Sequence, residues 1–452
     1  MIRLHIMLNN RRRFVISAAM AGVLVLLAGG ASALAQPTVW CVTKTGPSPN
    51  PSCTAATTFT TIQEAVSNAN ADDIIFVGPG TYNESVTIDE TNHPRDGLSL
   101  FGAQAGNDAR LDRHGPETIV NGMGNPAFIV AANYVVIDGF TVTGGTAANT
   151  YPGGILVGST STTISWAQVL NNIIEENGTG VYLYKASSPV VEHNLFRNNT
   201  AAADPGAGVT WVGIGIVSNG VAFPVMTENE FTGNKMAAIF VAGGSNAMIT
   251  NNTSENDGSF VLYADTSQCL FSHNRGKNFG RKGVLPIVVN STPYYADAAV
   301  EVGPNNSYLM ISDNDLEKGE AQISNGIAFT TAFASSPLGT SPNWNANVRN
   351  NKIKGFPENG IVAEEQSGGT LIYSWIVGNE VRDNGSDGIL IDVNNYNIEL
   401  FDNKAEGNHV LDCEDDTTSG GPTPMIVDEW LNNAGTSSSP TGVCTPGRGH
   451  DH

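Results

Sequence analysis

Residues 169–177 read Val-Leu-Asn-Asn-Ile-Ile-Glu-Glu-Asn, residues 191–199 read Val-Glu-His-Asn-Leu-Phe-Arg-Asn-Asn, and residues 226–234 read Met-Thr-Glu-Asn-Glu-Phe-Thr-Gly-Asn. One pattern runs through all three. An apolar residue is followed three positions later by Asn, two further on by a bulky apolar residue, and three beyond that by a second Asn. Aligning on the first Asn gives nine registers, at Asn172, Asn194, Asn229, Asn251, Asn274, Asn314, Asn351, Asn379 and Asn403, spaced by 22 to 40 residues. Three residues before them stand Val169, Val191, Met226, Met248, Phe271, Ile311, Val348, Ile376 and Leu400, every one apolar. Two residues after, six of the nine positions are bulky and apolar (Ile174, Phe196, Phe231, Leu316, Ile353, Val381). Five residues after, Asn recurs at Asn177, Asn199, Asn234, Asn256, Asn384 and Asn408. A repeat of about two dozen residues is the mark of a solenoid, whose units bury their apolar faces only against their neighbours.

The Asn column selects the kind of solenoid. Parallel coils stack about 4.8 Å apart. At that spacing each side-chain amide can donate to the carbonyl of the Asn on the next coil, within a corner where Asn also accepts left-handed backbone angles. A buried amide without such a partner costs about 1 to 3 kcal/mol, so nine in register point to stacked coils. Period-two strands follow the second Asn: Val181-Tyr182-Leu183, Ile239-Phe240-Val241, Ile327-Ala328-Phe329, Ile361-Val362-Ala363 and Ile389-Leu390-Ile391. The expected fold is all-β, a parallel β-helix, with the long spacings carrying insertions at 200–211, 276–307 and 331–345.

The N-terminal part adds a second signature. Thr61-Ile62-Gln63-Glu64-Ala65-Val66 reads as a short helix, Asp72-Asp73-Ile74-Ile75-Phe76-Val77 as a strand and Gly78-Pro79-Gly80-Thr81-Tyr82 as a turn. This opening, joined to the repeat, resembles the pectin-lyase-like right-handed parallel β-helix superfamily over residues 57–412. The resemblance implies a right-handed solenoid of about 13 to 15 coils, 65 to 70 Å long at the strand spacing, with the helix capping its first coil. It leaves function open, because the superfamily includes polysaccharide lyases, hydrolases, esterases, epimerases, non-catalytic surface proteins and a periplasmic protein that assists copper-site maturation.

Residues 1–35 read as a signal peptide: Arg11, Arg12 and Arg13, an apolar run from Phe14 to Leu27, and Ala33-Leu34-Ala35 before Gln36. The Arg11-Arg12-Arg13-Phe14 stretch resembles a twin-arginine signal and also fits an ordinary one. The destination is then secreted, periplasmic or on the cell surface, where disulfides persist. Cys41 is expected to pair with Cys53 in an N-terminal extension at 36–56, and Cys413 with Cys444 in a C-terminal cap at 413–452. Cys269, in an apolar strand, reads as an inert core thiol.

Charge narrows the partners. With 22 basic and 43 acidic residues the chain carries a net charge of −21, and removal of the signal peptide leaves 18 basic residues. That balance argues against nucleic acid and anionic membranes and favours cations or neutral glycans. The Asn-Thr-Asp, Asp-Asp and Gly-His-Gly set of polygalacturonases is absent, as is the Asp-Pro-His-Asp of alginate epimerases, of which Asp112-Arg113-His114-Gly115 is only an echo.

Three clusters remain as candidate sites. Register places Glu364 and Asp392 on adjacent coils with Glu365 and Asp387 nearby, a set able to hold Ca²⁺ or serve as an acid pair, or simply to form a solvated acidic face. Arg275, Lys277, Arg281 and Lys282 form the densest basic cluster, suited to the carboxylates of a uronic-acid polymer or to local ion pairs. Tyr182, Tyr184 and Phe240 face outward on strands, as sugar platforms or as packing under a loop. His193 and His273 share a column three registers apart, too far to hold one ion, and His450-Asp451-His452 reads as a tail. Glu228 reads as an exposed carboxylate. The sequence therefore describes an exported β-helix that is carbohydrate-binding or structural at the cell surface. The alternative is a lyase-like enzyme acting on uronic-acid glycans.

Overall fold

The computed structural model describes residues 36–446 except 45–48, 93, 112, 147–152, 159–162, 201–212, 281–286, 290–291, 295, 320–322, 331–340, 366–368 and 418–427. Residues 1–35, where the signal peptide is expected, lie outside the described residues, as do Arg281, Lys282 and the terminal His-Asp-His. No helix of the described residues is long and apolar enough to cross a membrane.

The repeat becomes three parallel sheets. In one coil Val190–Glu192 lies in sheet A, Leu195–Arg197 in sheet B and Ile214–Asn219 in sheet C, and the next coil begins at Val225–Thr227, again in sheet A. Neighbouring coils pair in register, Val191 with Met226, Phe196 with Phe231 and Ile216 with Ile239. Among the described residues sheet B holds 12 strands and sheet C 13. Sheet A stacks 15 strands in one unbroken path, and fourteen steps of about 4.8 Å give a stack of roughly 67 Å, within the 65 to 70 Å the sequence implied. The stack also reaches past residues 57–412. Val39–Val42 joins sheet A beside Ile74–Val77, and Cys413–Asp415, Glu429–Leu431 and Ser438–Ser439 extend sheets C and A. Both expected disulfides are formed, with Cα separations of 6.0 Å for Cys41–Cys53 and 5.9 Å for Cys413–Cys444.

The helix Ile62–Asn68 sits at the N-terminal end, burying Ile62, Ala65 and Val66. Thr61 caps it, and the Glu84 carboxylate accepts from the Ile62 and Gln63 amides, placing negative charge on the free N–H groups of the first turn. The interior is one apolar column of which Val191, Met226, Ile249, Phe271 and Ile311 form the sheet A side.

The Asn column is a continuous ladder at the corner between sheets A and B. Asn172, Asn194, Asn229, Asn252, Asn274, Asn314, Asn351, Asn379 and Asn403 each donate Nδ2 to Oδ1 of the next, ending at Asn433, at 2.8 to 3.1 Å. Each Oδ1 also accepts the preceding Asn backbone N–H, and each Nδ2 reaches a carbonyl one coil back, as Asn229 does to Val191. One residue of the sequence column is corrected: the rung is Asn252, not Asn251, and the core residue before it is Ile249, not Met248, which is exposed. Asn251 instead takes the left-handed corner position, φ 56°, just before the rung. Two adjacent Asn suit both places, which is why the alignment slipped by one. The second column slips likewise, from Asn256 to Asp257.

The small residues that open the sheet C strands have a packing cause. A Cβ on Gly180 would meet the Phe196 ring at 2.7 Å, and one on Gly215 the Phe231 ring at 2.7 Å. Those rings stack on each other with centroids 4.9 Å apart.

Candidate functional site

Sheet B turns one side chain of each strand into the core and its two neighbours to solvent. The outward neighbours make two files in register. One runs Glu230, Thr253, Arg275, Asp315, Lys352, Glu380, Lys404; the other Glu255, Lys277, Glu317, Lys354, Arg382, Glu406. Charges of both signs alternate along most of the axis, the Lys354–Arg382 step excepted, so neighbours pair: Lys277 with Glu255 at 3.3 Å, Arg275 with Asp315 at 3.2 Å, Arg382 with Glu406 at 3.8 Å. Arg275 is 76% exposed and Lys277 51%.

A trough of about 420 Å³ lies over this face, lined by Glu230, Phe231, Glu255, Arg275, Lys277, Asp315 and Glu317 among others. A second hollow of about 180 Å³ shares Asp315 and Glu317 with it and adds Lys352, Lys354 and Arg382. Under the trough Gly276 carries no side chain because the Phe279 ring fills that space, 2.2 Å from where a Cβ would be. The structure thus brings Arg275 and Lys277 together on one strand. It joins to them Lys352, Lys354 and Arg382, which lie too far along the chain to have entered a local basic cluster.

The other expected site residues fare differently. Tyr182 is 2% exposed and packs with Ile214, Val217, Met236, Phe240 and Leu262 on the outer face of sheet C, with Tyr184 partly buried beside them. The open sugar platform of that expectation is corrected to a covered apolar cluster. Glu364 and Asp392 do follow Ala363 and Ile391, which pair on adjacent coils. The four carboxylates nonetheless fail to converge. Asp387 is buried and accepts from Leu411 N and Ser386 Oγ, Asp392 accepts from Val393 N, and Glu365 is exposed. Asp387 and Asp392 crowd Glu414 instead, whose carboxyl is pushed up by burial and then by Asp387, Asp416 and Asp392.

Two features escaped the sequence. Glu301 is 1% exposed on the outer face of sheet C. Its Oε2 accepts from Asp297 N while Oε1 has no partner among the described residues, and burial with the nearby Glu364 charge pushes the carboxyl up to about 8. Its alternation with Val300 and Val302 was legible, but the segment reads as part of an insertion.

The second is Glu192, His193 and Glu228, the only group of three possible metal ligands within 4.8 Å of one another among the described residues. His193 Nε2 lies 3.1 Å from Glu228, and Arg110, held in a fork by Asp108, reaches the same carboxylate at 3.2 Å. Ala109 N donates to His193 O. The group therefore acts as a latch that fastens the segment around residue 110 across two coils. Glu228, read as a plain exposed carboxylate, is its centre. Nearby Arg113 donates to Glu117 and to Asn171 O, a structural tie in place of the motif echo. Cys269 is a buried free thiol pushed up to about 11 by burial, as an inert core residue should be.

Residues 85–278 match the family described as periplasmic copper-binding protein (NosD), less than half of the chain. No curated protein sequence matches. Among solved structures, the catalytic domain of a GH87 alpha-1,3-glucanase in complex with nigerose superposes with TM-score 0.51 at 13% identity, covering 82% of this chain and 67% of that one. The A-module of a mannuronan C-5 epimerase from Azotobacter vinelandii gives 0.49 at 14% identity over 84% and 94% of the two chains. At these identities the likeness is one of fold. The three in-register parallel sheets, the capping helix and the glucanase superposition show that the chain has the right-handed parallel β-helix fold of pectin-lyase-like proteins.

Proposed function

We propose that the protein is an exported β-helix that holds an acidic polysaccharide along sheet B without cleaving it. The observation that carries this reading is the trough in which Arg275 and Lys277 stand in register with Lys352, Lys354 and Arg382. An exposed ion pair contributes about 0 to 1 kcal/mol, so a polymer carboxylate can exchange for Asp315 or Glu255 at little loss. The Arg275–Lys277 and Lys352–Lys354 rows are two coils apart, roughly 10 Å, so successive acidic sugars can meet successive rows. The two disulfides fit an oxidising, extracytoplasmic setting. The expected result is salt-sensitive binding of polygalacturonate or alginate by calorimetry. An Arg275→Ala, Lys277→Ala double variant should lose most of that affinity. If neither polymer binds at low salt, this function is excluded.

Glu301 favours a second reading, a polysaccharide-active enzyme. Burial, with the nearby Glu364, pushes the Glu301 carboxyl up to about 8, the direction a general acid requires. Glu301→Gln should then abolish release of sugar fragments from a polyuronate while leaving its binding intact.

A further inference from the structure

We propose that the corner between sheets C and A is a binding ridge for a neutral polysaccharide, whose sugar rings stack on a column of exposed aromatic side chains. Tyr134, Trp166, Phe223, Tyr308, Trp344 and Tyr373 are each 41% to 62% exposed. They sit two or three residues before the outward-facing residues of sheet A, whose pairing fixes their register: Val136 with Gln168, Val190 with Val225, Leu270 with Met310, Met310 with Asn347, Asn347 with Trp375. Backbone hydrogen bonds tie the corners directly, from Tyr134 N to Ser165 O, Trp166 N to Ser187 O and Tyr308 N to Trp344 O. The column spans eight coil steps, about 40 Å. The Tyr308 and Trp344 rings touch with centroids 5.1 Å apart.

Neither packing nor backbone preference explains these residues. They are exposed, so the core gains little from them. Five of them, Tyr134, Trp166, Phe223, Tyr308 and Tyr373, hold φ between 48° and 59°, a left-handed conformation that disfavours bulky side chains. The opposite corner, between sheets A and B, makes the same demand and meets it with Asn171, Asn251, Asn350, Gly378, Asp313, Asp402, His193, His273 and Glu228, without a Phe, Tyr or Trp. Rings kept at strained, solvent-facing positions are placed for something outside the chain.

The chemistry of the ridge selects the ligand. Between the rings stand Ser188, Asn246 and Gln268, which offer hydroxyl and amide groups without formal charge. Flat apolar faces interleaved with neutral hydrogen-bonding groups match pyranose rings, which are apolar on their faces and hydroxylated at their rims. The column itself holds no Lys or Arg, so an acidic polymer or an anionic membrane would find no counter-charge on it. The ridge lies at the corner between sheets C and A, away from the trough on sheet B, so this site stands independently of the acidic-polymer reading.

The test uses cellohexaose, mannohexaose and laminarihexaose as probes on the full exported chain, followed by tryptophan emission, since Trp166 and Trp344 lie on the ridge. At least one hexasaccharide should shift the emission and bind more tightly than its disaccharide. Trp166→Ala and Trp344→Ala should each weaken binding two- to tenfold, and Leu111→Ala, an exposed apolar residue off the ridge, should not. Melting temperatures of all three variants should match the wild type, and polygalacturonate binding should survive. Failure of all three hexasaccharides to bind would overturn the inference. So would an equal loss with Leu111→Ala, or self-association in sedimentation that Trp166→Ala abolishes.

Discussion

Two ladders run along this solenoid, one inside and one out. The amides at the corner between sheets A and B and the ion pairs on the face of sheet B obey the same geometry, one side chain per coil at the strand spacing. They differ in what water does to them. Within the corner an Asn that loses its neighbour has no solvent to turn to, so each rung is obligatory. On the face, a Lys that loses its Glu is rehydrated, so each rung is dispensable and open to a ligand. The interior ladder therefore specifies register and stability, and the exterior one is free to meet the ligand proposed for it. Substitutions along the two should fall into separate ranges.

The largest effect is expected for Asn229→Leu. Its Oδ1 accepts from both Asn194 N and Asn194 Nδ2, and its own Nδ2 serves Val191 O, Thr227 O and Asn252 Oδ1. At about 1 to 3 kcal/mol for each buried group left unpaired, the loss should exceed roughly 4 kcal/mol in chemical denaturation. A loss below about 1 kcal/mol would mean the ladder is not obligatory.

Asp257 breaks the interior ladder in an instructive way. It takes a rung that Asn fills at Asn177, Asn199 and Asn234, accepting from Asn234 N and Nδ2 through Oδ1 and from Ser254 Oγ through Oδ2. Burial pushes its carboxyl up to about 7 from an unfolded value of 3.8. Because the folded state holds this proton more tightly, no penalty exists below pH 4. Stability falls as pH rises from there through about 7, and then levels off. Asp257→Asn should match the wild type at pH 4 and exceed it at pH 8 by up to roughly 4 kcal/mol, a pKa unit being about 1.4 kcal/mol. The buried Glu301, raised to about 8, adds to the same alkaline slope. Parallel pH profiles for the two proteins would show that Asp257 is ionised at no cost.

Glu228 lies between the two regimes. It is partly exposed yet joined to His193 and Arg110, so Glu228→Gln should cost about 0.5 to 1 kcal/mol in denaturant melts. Arg110→Ala should cost about the same, and the double variant should cost no more than either single one. Additive losses would mean that the latch is two separate contacts.

What the sequence disclosed follows the same division. The core column and the Asn ladders were legible because burial allows only a narrow choice of residue at each rung, and the two slips came where adjacent residues, Asn251 with Asn252 and Asn256 with Asp257, both satisfied the choice. The disulfide pairs were legible because each closes a local loop. The outer faces were not, because charge alternation along sheet B depends on register between residues as distant as Lys277, Lys354 and Arg382. Burial of Tyr182 and Glu301 depends on what covers sheet C, which no local pattern encodes. The aromatic corner was hidden for a related reason. Tyr134, Trp166 and Tyr308 look scattered until the coils are stacked, whereupon they fall into one file.

The smallest effect on stability, and the sharpest test of the comparison, belongs to the exterior ladder. Lys277 and Glu255 are each about half exposed and 3.3 Å apart, close enough for attraction but bathed in high-dielectric solvent. A double-mutant cycle with Lys277→Ala and Glu255→Ala should give a coupling below about 1 kcal/mol, shrinking as salt is raised toward 1 M, where the screening length is about 3 Å. The same Lys277→Ala variant should weaken polygalacturonate binding several-fold while shifting stability by less than about 0.5 kcal/mol. That combination requires a side chain whose partner in the free protein is readily exchanged for one on the ligand. A coupling of 2 kcal/mol or more, indifferent to salt, would mean that the face is held as firmly as the corner. Its cations would then be committed to the fold, and the trough would have nothing to offer an acidic chain.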